Sequence, residues 1–233
     1  MKKLVLFDID RTLIKDLRWD NASWDDTKFS EVIKKIYNAD AKVEIIGNHS
    51  GMTDQEKIIA MLKKKGFKEK DIMPKMKYCM KALIESFKNL DNSNFIVLSG
   101  VKNLLKALEK NKVLIGVVTG NIKYIAKGKL KKVGLYKYFK VGAFGEDSEK
   151  RSKLIKIAIK RAKEKFGFKL NNNAFLVGDT PRDVKAAKEA GIKAIAVASG
   201  SIWSEKQLKD AGADFVLKDL KDVEKFLKII NSN

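Results

Sequence analysis

The chain has 233 residues, enough to bury a full core as one domain with an insertion or as two small domains. Its hydrophobic content of 45% is that of a globular protein, no apolar stretch approaches the ~20 residues of a membrane helix, and the N-terminal apolar run meets Asp8 too soon for a signal-peptide core. The formal net charge of +20 is spread over polar helix faces such as Lys102, Lys106 and Lys110 or Lys156, Lys160 and Lys163, with Arg scarce beside Lys, which reads as a solvated surface and argues against a nucleic-acid partner.

The first element is the apolar run Leu4–Phe7, a buried strand that ends in two carboxylates, Asp8 and Asp10. If the extended geometry continues, the two side chains point the same way, and two like charges that close need a cation, a shared proton or a substrate between them. From Ile14 to Phe95 the pattern is helical, with helices expected over Asp26–Tyr37, Asp54–Lys65 and Glu69–Lys88. Within this segment His49-Ser50-Gly51-Met52-Thr53-Asp54 forms a loop in which Gly51 allows a sharp turn and Thr53 or Asp54 can cap the next helix. Cys79, with no second cysteine to pair with, reads as a small packed side chain and suits a reducing cytoplasm. Trp19, Trp24 and Trp203 read as packing residues, and the polar stretch Leu90-Asp91-Asn92-Ser93-Asn94 suits a hinge.

After the hinge the rhythm changes. Val101, Leu104, Leu105 and Leu108 have helical spacing and precede the strand Val113–Val118, which runs into Thr119-Gly120-Asn121. Leu154, Ile155, Ala158 and Ala162 mark another helix before the strand Ala174–Val177. That strand leads into Gly178-Asp179-Thr180-Pro181-Arg182-Asp183. Pro181 suits a first helical turn, which places Asp179 and Asp183 at a helix N-terminus. Gly191 reads as the stop of that helix, and Ala194–Ala198 and Phe215–Leu217 as further strands. Strands alternating with helices imply an α/β fold, a Rossmann-like parallel sheet covered by helices on both faces. Active sites in such sheets form beyond the carboxyl ends of the strands. Asp8, Asp10, Asp179 and Asp183 could therefore converge there on one hard-oxygen Mg²⁺ site.

Three motifs, each following its own apolar strand, carry a resemblance. Asp8-Ile9-Asp10-Arg11-Thr12, Thr119-Gly120-Asn121 and Gly178-Asp179-Thr180-Pro181-Arg182-Asp183 stand in the order of the first, second and fourth motifs of the haloacid dehalogenase-like hydrolase superfamily. The chain resembles its cap-bearing, phosphoglycolate-phosphatase-like branch over nearly its whole length. The resemblance implies a catalytic core of residues 1–14 and 96–233 and a small helical cap of residues 15–95.

It also implies a Mg²⁺-dependent phosphatase acting on a small phosphorylated metabolite. Asp8 would be the nucleophile and Asp10 the general acid/base. Thr119, Gly120 and Asn121 would hold the phosphoryl group. Asp8, Asp10 (through its main-chain carbonyl), Asp179 and Asp183 would surround the metal. The third motif is a single cation before the helix that leads into the fourth. Arg151, Lys153 and Lys150 all lie in that window, with Arg151 favoured and the family's usual Lys-Pro missing. Arg11 stands where the family usually has Gly, and a loop needing positive φ would disfavour it. His49, Ser50 and Met52 are candidate substrate contacts, set against a plain capping role for their loop.

The rival readings are a sugar-phosphate mutase, a 2-haloacid dehalogenase, which Asp10 argues against, and a basic nucleic-acid-binding protein. No membrane association is expected, and the oligomer is a monomer or a homodimer.

Overall fold

The computed structural model describes residues 2–20, 24–90 and 94–232; the side chains of Trp19 and Trp24 and the middle of the expected hinge, residues 91–93, lie outside them. Strand β1 (Leu4–Phe7) is followed by the short strand β2 (Ile14–Asp16). Helices α1 (Trp24–Tyr37), α2 (Asp54–Lys64), α3 (Glu69–Ile72) and α4 (Met76–Lys88) come next, and β3 (Phe95–Val97) pairs antiparallel with β2. The chain leaves and re-enters the sheet region through this two-stranded ribbon.

The rest alternates: α5 (Val101–Lys110), β4 (Leu114–Val118), α6 (Lys123–Lys132), β5 (Val141–Ala143), α7 (Arg151–Phe166), β6 (Ala174–Gly178), α8 (Pro181–Glu189), β7 (Lys193–Val197), α9 (Glu205–Asp210), β8 (Phe215–Leu217) and α10 (Val223–Asn231). The main sheet has the order β5-β4-β1-β6-β7-β8, with every pairing parallel. This is the Rossmann-like α/β architecture that the alternation of strands and helices implies.

Apolar side chains cover both faces of the sheet. Val5, Phe7, Val117 and Val177 face one layer with α5, α6 and α10, and that layer continues without a break into the helices between β2 and β3 through Ile9, Leu13 and Ile14. Leu4, Leu6, Leu114 and Leu176 face the other layer with α7 and α8. Strands buried on both sides need continuous apolar runs, which is why β1 and β6 stand out in the sequence.

Two expectations are corrected. The helix over Glu69–Lys88 is broken by a 3₁₀ turn at Met73–Lys75, because Pro74 has no N–H to donate to the preceding turn. The strands β2, β3 and β5 were not expected; each is three residues long, and β5 contains Gly142.

Candidate active site

Strand register assembles the site. Phe7 lies between Val117 and Val177, so the residues that follow β1, β4 and β6 leave the sheet side by side. These are Asp8, Thr119 and Asp179. All three are buried, and all line a cleft of about 260 Å³ with Asp10, Arg11, Gly120, Asn121 and Arg151.

On one side of the cleft, single carboxylate oxygens of Asp8, Asp179 and Asp183 all lie within 4.8 Å of one another. One guanidinium faces them. Arg151 Nε donates to Asp183 Oδ1 at 2.6 Å, and its Nη2 lies 2.9 Å from Asp8 Oδ1 as an ion pair. Burial favours the protonated form of Asp8; Arg151 opposes this, while Asp183 and Asp10 add to it, and the net effect pushes the carboxyl up to about 6. Asp179 is raised well above the usual carboxylate range, first by burial and then by Asp183 and Asp8. Burial works against the charge on Arg151, but Asp183 and Asp8 outweigh it and hold the guanidinium more firmly protonated than usual.

The carboxylates are not equivalent. Asp183 Oδ1 accepts from Arg151, and Oδ2 accepts from the N–H and hydroxyl of Thr180 in a reciprocal capping box that starts α8. Its oxygens are committed within the protein. Asp179 Oδ1 accepts from Thr12 Oγ1 at 3.3 Å, but its buried Oδ2 has no hydrogen-bond partner. An orphaned buried carboxylate oxygen beside Asp8, in an all-oxygen donor set, fits a hard divalent cation.

The other side of the cleft is built differently. Asp10 does not join the three-carboxylate group. Its two oxygens each lie 2.8 Å from Lys129 Nζ, and Oδ2 also accepts from Asn121 Nδ2 at 2.8 Å. Asp8 and Asp10 are therefore paired with different cations, and Asp8 shares its one with Asp183. Lys129 has no part in the sequence reading. The available signal is its phase: in a Lys-rich helix it falls i+4 from Ile125, on the buried face.

The three basic residues lie at the start of α7 and not before it; Arg151, its first residue, enters the cleft, while Lys150 and Lys153 are exposed. Arg11 has φ 62°, so the loop does require the left-handed conformation that Gly would take most readily; its Nη1 lies 3.3 Å from Gly200 O. Ser201 Oγ donates to the Asp179 carbonyl at 2.6 Å, and Lys57 and Ile202 also line the cleft; none of these three stands out by sequence spacing.

The loop before α2 comes down onto these motifs. His49, Ser50 and Met52 line the cleft. Arg182 Nη1 donates to the carbonyls of Asn48 and Ser50 at 3.1 and 2.8 Å, and Asp54 N–H donates to Gly120 O at 2.9 Å. Gly120 has to be glycine here, since a Cβ would lie 2.4 Å from Met52 O. Thr53 caps α2 in a box with Glu56, whereas Asp54 Oδ2 accepts from Ile122 N–H. Capping and cleft lining thus coexist in one loop.

The model of the haloacid dehalogenase-like hydrolase family matches residues 5–197, and the chain belongs to that family of hydrolases. A proposed pyrophosphatase PpaX from Clostridium perfringens is 28% identical over 234 residues, covering both chains completely. The PpaX of Caldanaerobacter subterraneus subsp. tengcongensis is 30% identical over 135 residues, which covers 55% of this chain and 57% of that relative. Among solved structures, a haloacid dehalogenase-like hydrolase from Bacteroides fragilis superposes with a TM-score of 0.71 at 18% identity, covering 96% of this chain and 100% of that one. A predicted phosphoglycolate phosphatase from Haemophilus somnus superposes with 0.66 at 19% identity, covering 97% and 98%. At these identities the solved structures speak to the fold.

Proposed function

We propose that this chain is a Mg²⁺-dependent phosphatase that hydrolyses a small phosphorylated metabolite through an aspartyl-phosphate. The observation that carries this reading is the unpartnered Asp179 Oδ2 beside Asp8 and Arg151, in the same cleft as Thr119. Asp8 and Asp179 would hold the cation, with the Asp10 carbonyl that the family resemblance adds, while Asp183 holds Arg151 in place. When bound, Mg²⁺ offsets the repulsion between the Asp8 carboxylate and an anionic phosphoryl group.

An Asp8 oxygen attacks phosphorus and the bond to the leaving oxygen breaks. Asp10 gives its proton to the departing alkoxide. Asp10 then takes a proton from water, which attacks the same phosphorus; the Asp8–phosphoryl bond breaks and phosphate leaves. Thr119, Gly120 and Asn121 hold the phosphoryl oxygens, and Arg151 compensates their charge near Asp8.

Residues 15–95 serve as a cap whose loop reads the leaving group. A phosphoglycolate-like substrate is the nearest analogy. Arg11 and Lys57 at the cleft favour an anionic leaving group, and this observation also admits inorganic pyrophosphate, the substrate that the relatives' name suggests. Cys79 is buried and has no second cysteine to pair with, which suits a reducing cytoplasm. A screen of phosphorylated metabolites and pyrophosphate with and without Mg²⁺ tests the reading. Turnover should require the cation, and full activity after exhaustive chelation would overturn it.

A further inference from the structure

We propose that Lys129 is a positioning residue for the leaving-group step: with Asn121 it fixes the Asp10 carboxylate facing the cleft and outside the Asp8–Asp179–Asp183 group. The inference rests on the reading of Asp10 as the acid and base of the reaction.

Helix α6 carries lysines at 123, 127, 129, 131 and 132. Lys123, Lys131 and Lys132 are exposed, while Lys129 is 1% exposed, among Ile125, Ala126 and Leu130. Burying an ammonium is costly, and an apolar residue at such a position packs at lower cost. What the ammonium gains here is Asp10, at 2.8 Å to both oxygens. Asn121 supplies a further donor to Oδ2 at 2.8 Å. Donors on both oxygens hold the carboxylate by its plane as well as by its charge.

Lys129 Nζ also sits 5.7 Å from the ring centre of Phe95, the residue at which the chain returns from the inserted helices. The partner across the ribbon from Phe95 is Asp16, in the strand that follows Asp10. Lys129 therefore touches both arms of the connection between the inserted helices and the sheet, and one of those arms carries Asp10. An alkyl leaving group needs a proton and nitrophenolate barely does, so an effect exerted through Asp10 depends on the leaving group.

The test compares Lys129→Met with wild type on glycerol phosphate and 4-nitrophenyl phosphate, in Mg²⁺. The kcat on glycerol phosphate should fall about 30-fold or more, and on nitrophenyl phosphate less than about 3-fold, with KM little changed; general acid–base catalysis supplies about 10²–10⁴ in rate. In an Asp10→Asn background the same substitution should add less than about 2-fold, because the two side chains act as one unit. Lys129→Arg, which keeps the charge and donors, should fall between Met and wild type and serves as the reading if the Met variant shows no cooperative melt.

Equal losses on both substrates, or losses additive with Asp10→Asn, would overturn the inference and leave Lys129 as packing. Leaving-group dependence in Asp10→Asn but in neither Lys129 variant would overturn the Lys129 inference alone. Its absence in Asp10→Asn would overturn the reading of Asp10 and this inference with it.

Discussion

Two aspartates two residues apart occupy opposite electrostatic settings. Asp8 shares one guanidinium with Asp183 and has Asp179 beside it; among the described residues Arg151 is paired with Asp8 and Asp183, and Arg11 acts on Asp179, so carboxylates outnumber cations here. Asp10 has an ammonium on both oxygens and an amide donor besides. The same side chain, given a charge-deficient setting and a charge-satisfied one, would suit the two tasks proposed above: one side to draw in a cation and an electrophile, the other to stay fixed for proton transfer.

The sharpest way to break this contrast is to neutralise each carboxylate in turn. Asp8→Asn should abolish turnover on every substrate, a loss of about 10⁴-fold or more, since no covalent step remains. Asp10→Asn should cost about 10²–10³-fold on alkyl phosphates and much less on 4-nitrophenyl phosphate. Steady-state kinetics on both substrate types, with circular dichroism to confirm the fold, make the check. If the two variants show the same leaving-group dependence, the division of labour is wrong.

A smaller effect follows from the charge deficiency. The folded Asp8 carboxyl is pushed up to about 6, mainly by burial, from an ordinary 3.8, and Asp179 moves in the same direction. A raised carboxyl pKa means that the folded protein holds the proton more tightly than the unfolded chain. The contribution of Asp8 to metal-free stability should therefore fall as pH rises from about 4 to about 6, with Asp179 acting in the same direction. Mg²⁺ competes with those protons, so its stabilising effect should grow across the same window. At roughly 100 times its Kd a cation adds about 2.7 kcal/mol, which at 2–4 °C per kcal/mol is about 5–10 °C in Tm. Thermal melts from pH 4.5 to 8, with Mg²⁺ and with chelator, measure this; a Mg²⁺ shift as large at pH 4.5 as at pH 8 would show that the carboxylates do not gather a cation.

The two sides of the cleft also differ in how far the sequence reveals them. Asp8 and Asp179 end strands whose apolar runs are continuous because both sheet faces are covered, and a carboxylate after such a run is conspicuous. Thr180, Pro181 and Asp183 form a helix start that the sequence spells out, so α8 and its capping box are legible. Arg151 stands among basic neighbours, and only the turn of α7 separates it from Lys150 and Lys153. Lys129 is hidden more deeply. Its helix is lysine-rich and only weakly amphipathic by composition, so one buried lysine looks like its exposed neighbours until the fold brings Asp10 to it. The ribbon β2–β3 escapes for a related reason. Three-residue strands carry no periodicity, yet their ends fall close to the boundary at which the helical segment was expected to begin and end.

The smallest predicted effect concerns the inserted segment, and it separates substrate choice from catalysis. On the proposed reading, Asp8, Thr119 and Arg151 would meet the phosphoryl group, which every substrate of this kind shares. The leaving group must be read by what closes the rest of the cleft, and His49, Ser50 and Met52 line it there. Their loop is held by main-chain contacts: Arg182 grips the carbonyls of Asn48 and Ser50, and Arg151 Nη1 lies 3.3 Å from that of Gly51. Changing the side chains of His49, Ser50 or Met52 leaves those contacts in place. Such variants should shift kcat/KM ratios among natural substrates by about 10-fold, within the 1–3 kcal/mol that small pocket changes supply, and barely alter nitrophenyl phosphate turnover. Gly51→Ala is the control of opposite sign. At φ +77° its Cβ would meet Thr180 Oγ1 at 2.7 Å, where Thr180 caps α8 and holds Asp183, so this variant should slow all substrates alike. Uniform losses in the His49, Ser50 and Met52 variants as well would make the loop a scaffold and move the reading of the leaving group to Arg11, Lys57 and Ile202 across the cleft.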